Sequence, residues 1–255
     1  MDEIKILELK ESVFADNNAD AQRLRDQLKA EKAFLINLMS SPGSGKTSTL
    51  LALAGEFAGK IRWAVMEADI DSVVDAQTMK AAGVEAVQLH TGGMCHLDAD
   101  MTRQGLSQLD TSTLDMVVLE NVGNLVCPAE FDTGAALNMT ILSVPEGHDK
   151  PLKYPLMYQT CDLLVINKVD VEPYFDFDRA KLEEYARRRN PEIDIIYISA
   201  KTGEGIDELL EMVNLSAEVL ELRATPTVLR RVPLSKQSLT RAEVLLQQCL
   251  YRRVP

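Results

Sequence analysis

Lys46 and Thr47 close a serine- and glycine-rich run, Ser40-Ser41-Pro42-Gly43-Ser44-Gly45-Lys46-Thr47, that follows the apolar stretch Ala33–Met39. A strand that ends in such a turn and feeds a helix aims several backbone N–H groups at one point. The dipole at the helix N-terminus favours an anion there. Gly43, Ser44, Gly45 and Ser48 line this turn, with Lys46 placed for the β- and γ-phosphates and the Thr47 hydroxyl for Mg²⁺. Ser40 stands where the first glycine of the usual pattern falls, and serine is small enough for that turn.

The base is read by a second loop. Asp162-Leu163-Leu164-Val165-Ile166 has the composition of a buried strand and runs into Asn167-Lys168-Val169-Asp170. A carboxylate accepts two parallel N–H bonds, which guanine offers on its N1 and N2 edge and adenine does not. Asp170 is thus the guanine reader, the Lys168 stem lies along the base face, and Asn167 braces the loop. A further strand, Ile193–Ile198, leads into Ser199-Ala200-Lys201, whose backbone can meet the guanine oxygen.

These loops need a sheet to hold them. Strands are expected near Ala33–Met39, Ile61–Glu67, Glu85–His90, Met116–Leu119, Leu137–Val144, Asp162–Ile166 and Ile193–Ile198. Helical spacing falls between most of them, at Thr47–Phe57, Val73–Ala82, Ala99–Leu109, Asp178–Asn190 and Gly205–Leu222. The alternation predicts an α/β fold, a mainly parallel doubly wound sheet of the P-loop NTPase type, with nucleotide at the strand C-termini. Residues 1–32 are expected to be an N-terminal helical segment, with the helix itself over Ala19–Lys32, and residues 33–222 the nucleotide-binding domain. Residues 223–255 hold seven Lys or Arg against one acidic residue, a peripheral basic extension with an amphipathic stretch at Leu239–Leu250.

Bulk properties agree with an intracellular enzyme. The 255 residues suffice for one large domain, 46% are apolar, and no run approaches the length of a membrane span. A net charge of −12 argues against nucleic acid or an anionic membrane as partner. Four cysteines do not make a disulfide framework, and the acidic start Met1-Asp2-Glu3 lacks a signal-peptide core, so a cytoplasmic location is expected.

Cys95 and His96 follow one strand and Cys127 follows another, both on the nucleotide side. Thiolate and imidazole together suit Zn²⁺ or Ni²⁺ and suit Mg²⁺ poorly. Three ligands do not close a tetrahedral site, and two chains meeting across a two-fold axis supply the remainder. Cys161 and Cys249 read as structural.

The octet Ser40–Thr47, Gly92-Gly93-Met94-Cys95-His96-Leu97-Asp98-Ala99, Glu120-Asn121-Val122-Gly123-Asn124-Leu125-Val126-Cys127-Pro128 and Val165–Asp170 together resemble the HypB family of hydrogenase nickel-incorporation GTPases, over roughly residues 18–222. The resemblance implies a slow, dimerising GTPase, promoted by GTP and metal, that helps insert nickel into [NiFe]-hydrogenase. Its implied partners are the nickel metallochaperone HypA and the hydrogenase large-subunit precursor. It also implies Cys95, His96 and Cys127 as Ni²⁺ or Zn²⁺ ligands. Glu120 falls near Mg²⁺ or its waters, the Gly123 N–H faces the γ-phosphate, and Asp69 and Asp75 are candidates for Mg²⁺ contact or water positioning. Some family members carry an N-terminal cysteine motif or a histidine-rich stretch; the first cysteine here is Cys95. The urease counterpart, a rival, has Cys-Pro-His where this chain has Cys127-Pro128-Ala129. A GTPase switch without metal, in which Cys95, His96 and Cys127 are ordinary residues, is a second rival, and a passive nickel-binding module, which would need a His- or Cys-rich tract, is a third.

Overall fold

The computed structural model describes residues 4–9, 17–69 and 72–219. Eight strands form one sheet: β1 (Lys5–Glu8), β2 (Phe34–Ser40), β3 (Trp63–Asp69), β4 (Glu85–His90), β5 (Met116–Glu120), β6 (Leu137–Ser143), β7 (Leu163–Asn167) and β8 (Asp194–Tyr197). Their order is β1-β4-β3-β5-β2-β6-β7-β8 and every pairing is parallel. The helices are α1 (Asn17–Glu31), α2 (Lys46–Phe57), α3 (Val74–Ala81), α4 (Ala99–Leu106), α5 (Lys150–Lys153), α6 (Pro155–Thr160), α7 (Arg179–Arg189) and α8 (Ile206–Val219).

Strand β2 is buried along its whole length, because alternate residues serve two cores. Phe34, Ile36 and Leu38 pack with Leu50 and Leu53 of α2, Met79 of α3 and Leu209 of α8. Leu35 faces Leu24 and Leu28 of α1 and Met101 of α4, while Met39 meets Leu182 of α7. Helices thus cover both faces. The chain runs outward from β2 through β3 to β4, returns to place β5 beside β2, then continues on the other side through β6, β7 and β8. That reversal opens the crevice beyond the C-terminal end of β2, where an α/β sheet binds its ligand.

Three elements depart from expectation. Residues 1–32 are not wholly helical: Lys5–Glu8 is an edge strand paired with β4, and Ile6 remains 52% exposed. Four residues with charges at both ends carry little periodic signal, and only the free edge of β4 makes them a strand. Helices α5 and α6 were not expected either; Pro151 and Pro155 each occupy the first turn of a short helix, where the missing N–H is harmless. The basic extension 223–255, with Leu239–Leu250 and Cys249, lies outside the described residues. Among the described residues, no helix is long and apolar enough to cross a membrane.

Candidate nucleotide and metal site

The phosphate loop leaves β2 at Ser40 and enters α2 at Lys46. Gly43 and Gly45 have φ of +75° and +103°, values that a side chain disfavours. At Gly45 a Cβ would also collide with the Asn167 amide. Ser40, in place of glycine, has a defined use: its hydroxyl donates to Ser41 O at 2.7 Å and accepts Lys46 Nζ at 3.1 Å. The Ser44 hydroxyl donates to Ser41 O at 3.0 Å. Ser41 donates to Glu146, which also takes the Ser143 N–H, tying the loop to the end of β6. Ser48 is exposed in the first turn of α2.

Asn167 is the strut that joins three loops. Its Nδ2 donates to Ser44 O at 3.0 Å, and its Oδ1 accepts from Lys168 N at 2.7 Å and Ala200 N at 3.1 Å. Lys168 adopts a left-handed φ of 66° and donates from Nζ to Gly43 O at 2.6 Å. Asp170, in the 3₁₀ turn Val169–Tyr174, accepts from the buried Ser199 hydroxyl at 2.8 Å on one oxygen, which leaves that oxygen's second lone pair and the whole of the other oxygen for a base. Lys201 is exposed at the same rim.

A carboxylate cluster lies beneath the phosphate loop. Thr47 Oγ1 donates to Glu120 Oε1 at 3.2 Å, and Lys46 Nζ stands 3.8 Å from the same oxygen. Glu67, directly across from Glu120 in the β3–β5 register, completes it. Glu67 was not apparent from sequence, although a lone Glu inside Trp63-Ala64-Val65-Met66-Glu67-Ala68 is a signal in itself. Burial, then the charge of Glu120, pushes the Glu67 carboxyl well above its usual range. Burial raises Glu120 too, opposed by Lys46. Glu67 Oε1 and Glu120 Oε2 are buried without partners. Two orphaned carboxylate oxygens beside a threonine hydroxyl are a hard, all-oxygen donor set, and Mg²⁺ fits it.

The two candidate aspartates separate. Asp75, in the first turn of α3, bears electrostatically on both Glu67 and Glu120, whereas Asp69 Oδ1 accepts the Ser72 N–H at 2.8 Å. Gly123 sits against the phosphate loop; a Cβ there would come 3.1 Å from Pro42 Cγ.

The thiols meet on the same side of the sheet. After β4, Gly92 and Gly93 turn the chain with positive φ, and Asp98 caps α4 by accepting the Met101 N–H. Cys95 is held exposed between them. Cys127 opens a 3₁₀ turn, Cys127–Ala129, on the loop after β5. A hydrogen bond with Cys127 keeps the Cys95 thiol above its ordinary pKa. The His96 ring stacks on Phe131, with centroids 3.8 Å apart and planes at 11°, and its Nδ1 lies 4.0 Å from Cys95 Sγ. No sequence spacing announced Phe131. Among the described residues, no three His, Cys, Asp or Glu side chains converge as a metal-holding group. Cys161 is structural: it is buried, its thiol is pushed up to about 12, and it donates to Leu163 O.

Residues 34–197 match the CobW/HypB/UreG nucleotide-binding domain. The hydrogenase maturation factor HypB of Azotobacter vinelandii is 46% identical over 210 residues, covering 82% of this chain and 69% of that protein. The chain belongs to the HypB family of hydrogenase maturation factors. The hydrogenase/urease maturation factor HypB of Helicobacter hepaticus is 38% identical over 213 residues, with 82% and 87% covered. Nickel-bound HypB from Helicobacter pylori superposes with a TM-score of 0.76 at 34% identity, over 83% of this chain and 99% of that one. A HypB nucleotide-binding domain is therefore what these loops build.

Proposed function

We propose that the protein is a GTP-hydrolysing, metal-regulated dimeric switch that helps insert nickel into [NiFe]-hydrogenase, acting with the metallochaperone HypA on the hydrogenase large-subunit precursor. The observation that carries the nucleotide half is Asn167, whose amide ties the phosphate loop, the Asn167–Asp170 loop and the Ser199–Lys201 loop into one cradle. Asp170 would take the N1 and N2 protons of the base, Lys168 would lie along its face, and the N–H groups from Gly43 to Thr47 would hold the phosphates. Thr47, Glu120 and Glu67 would hold Mg²⁺, which when bound neutralises charge on the phosphoryl oxygens. Lys46 would move from Ser40 and Glu120 onto the β- and γ-phosphates. Asp75 then faces the attacking water, and the Gly123 N–H faces the γ-phosphate. Among the described residues no arginine hydrogen-bonds or pairs with Glu67 or Glu120, which supports a slow turnover.

The metal half rests on Cys95 and Cys127, which two different strand ends bring near enough for Cys127 to raise the Cys95 thiol. With His96 beside them they offer nickel, the cargo, up to three ligands per chain, and a second copy would complete the shell. Cys127 lies on the loop that starts at Glu120, so a γ-phosphate that orders this loop alters the thiol geometry. Linkage requires metal to change nucleotide affinity in return.

The test is light scattering with parallel metal analysis of the full chain, with GDP or a non-hydrolysable GTP analogue, each with and without Ni²⁺. Analogue and nickel together should give the largest dimer fraction, and Cys95→Ala should abolish the nickel contribution. A monomer that binds one nickel per chain in every state would overturn the shared site.

A further inference from the structure

A ladder of three asparagine amides crosses the sheet beneath the phosphate loop. Asn37 of β2 and Asn138 of β6 are register partners, and Asn37 Nδ2 donates to Asn138 Oδ1 at 3.0 Å. On its other side Asn37 Oδ1 accepts Asn121 Nδ2 at 3.0 Å, across to the residue that follows β5. Asn121 in turn takes the Val122 N–H on its own Oδ1 at 2.9 Å. Asn37 and Asn121 are buried, at 1% and 0% exposure, so water cannot replace these bonds.

The position of the ladder matters more than its strength. Asn37 lies three residues before Ser40, on the strand that carries the phosphate loop. Asn121 lies between Glu120, in the carboxylate cluster, and Gly123, packed on Pro42. The Asn121 amide therefore fixes the first peptide of the loop that ends at Cys127. A buried amide has few other partners, so it sets direction rather than merely adding attraction.

We propose that Asn37 is the positioning residue through which the phosphate-loop strand orients the Glu120–Cys127 loop toward the γ-phosphate. This rests on the guanine-nucleotide role proposed above. Asn37 touches neither base nor phosphate; it acts through Asn121.

The experiment compares affinities of the full-length protein for GDP, for a non-hydrolysable GTP analogue and for ADP, all with Mg²⁺, alongside GTP turnover. Asn37→Leu should leave GDP affinity within about twofold, because the base and β-phosphate contacts lie elsewhere, while analogue affinity and turnover each fall by about tenfold through the orphaned Asn121 amide. Asn37→Asp keeps an acceptor for Asn121 and, with the Asn138 amide turned, accepts from both neighbours; it should recover most of the analogue preference. A destabilised but unselective variant, losing GDP and analogue equally, would show a purely structural role and overturn the proposal. So would Asn37→Leu with wild-type preference and turnover. Should Asn37→Leu not fold, Asn138→Ala, at a half-exposed position, decides: a reduced analogue preference supports the coupling and an unchanged one refutes it. Wild-type protein that binds ADP as well as GDP would remove the nucleotide role itself and this inference with it, an outcome separate from any result on Asn37.

Discussion

Asn167→Asp isolates one bond of the three-loop strut. The substitution keeps the shape and retains an oxygen for the Lys168 and Ala200 N–H groups. It replaces the donor to Ser44 O with a second acceptor, so two oxygens face each other where Asn167 is only 2% exposed. Losing a buried hydrogen bond and leaving its partner unsatisfied costs about 1–3 kcal/mol. Part of that loss lowers the stability of the free protein. The part that reaches binding is the energy needed to re-form the cradle around a ligand, so GDP affinity should fall by more than about twofold and by at most about 150-fold. Titration with a fluorescent GDP derivative measures it, and a melting curve of the nucleotide-free protein gives the other share. Asn167→Ala, which removes all three bonds, should lose more on both counts. A clear drop in melting temperature with GDP affinity within twofold of wild type would refute the strut, since the loops would then be organised by something other than Asn167.

Glu67→Gln tests the buried acid pair. A carboxyl whose folded pKa is raised gives stability that is present at low pH and lost as pH rises through that pKa. The amide therefore should melt higher than wild type at neutral pH and bind Mg²⁺-dependent nucleotide more weakly; equal melting across pH 5 to 8 would contradict it. Asp170→Asn turns one acceptor into a donor and should shift preference from GTP towards XTP, by about 10- to 150-fold from the loss of a charged hydrogen bond; competition binding reads it, and undiminished GTP preference would contradict it. Phe131→Ala removes the ring stacked on His96 and should weaken nickel binding several-fold while leaving GDP affinity unchanged, as followed by nickel titration.

Much of the frame was legible because seven of the eight strands announced themselves. Trp63–Asp69 and Leu163–Asn167 are apolar runs that only a sheet covered on both faces can bury, and Glu85–His90 fell on its expected bounds. Gly43 and Gly45 mark a backbone that other residues enter poorly, so the phosphate loop is written in local chemistry. Lys5–Glu8 was not legible, because an edge strand depends on its neighbour more than on itself. Helices α5 and α6 were hidden by the prolines that in fact begin them.

The sequence by itself determined which kinds of groups are present and their order: a phosphate loop, then thiol and imidazole, then Glu120 with Gly123, then the Asn167–Asp170 loop. Period, glycine placement and short motifs are local properties, and local properties survive without a fold. Only the tertiary structure decided which groups meet. It set Glu67 opposite Glu120, brought Asp75 close enough to raise both, laid Phe131 on His96, and joined Asn121 to Asn138 through Asn37. The asparagine pairs lie 84 and 101 residues apart in sequence, and nothing in their spacing records the contact. The register between parallel strands brings them together, and that register follows from burying two hydrophobic faces at once.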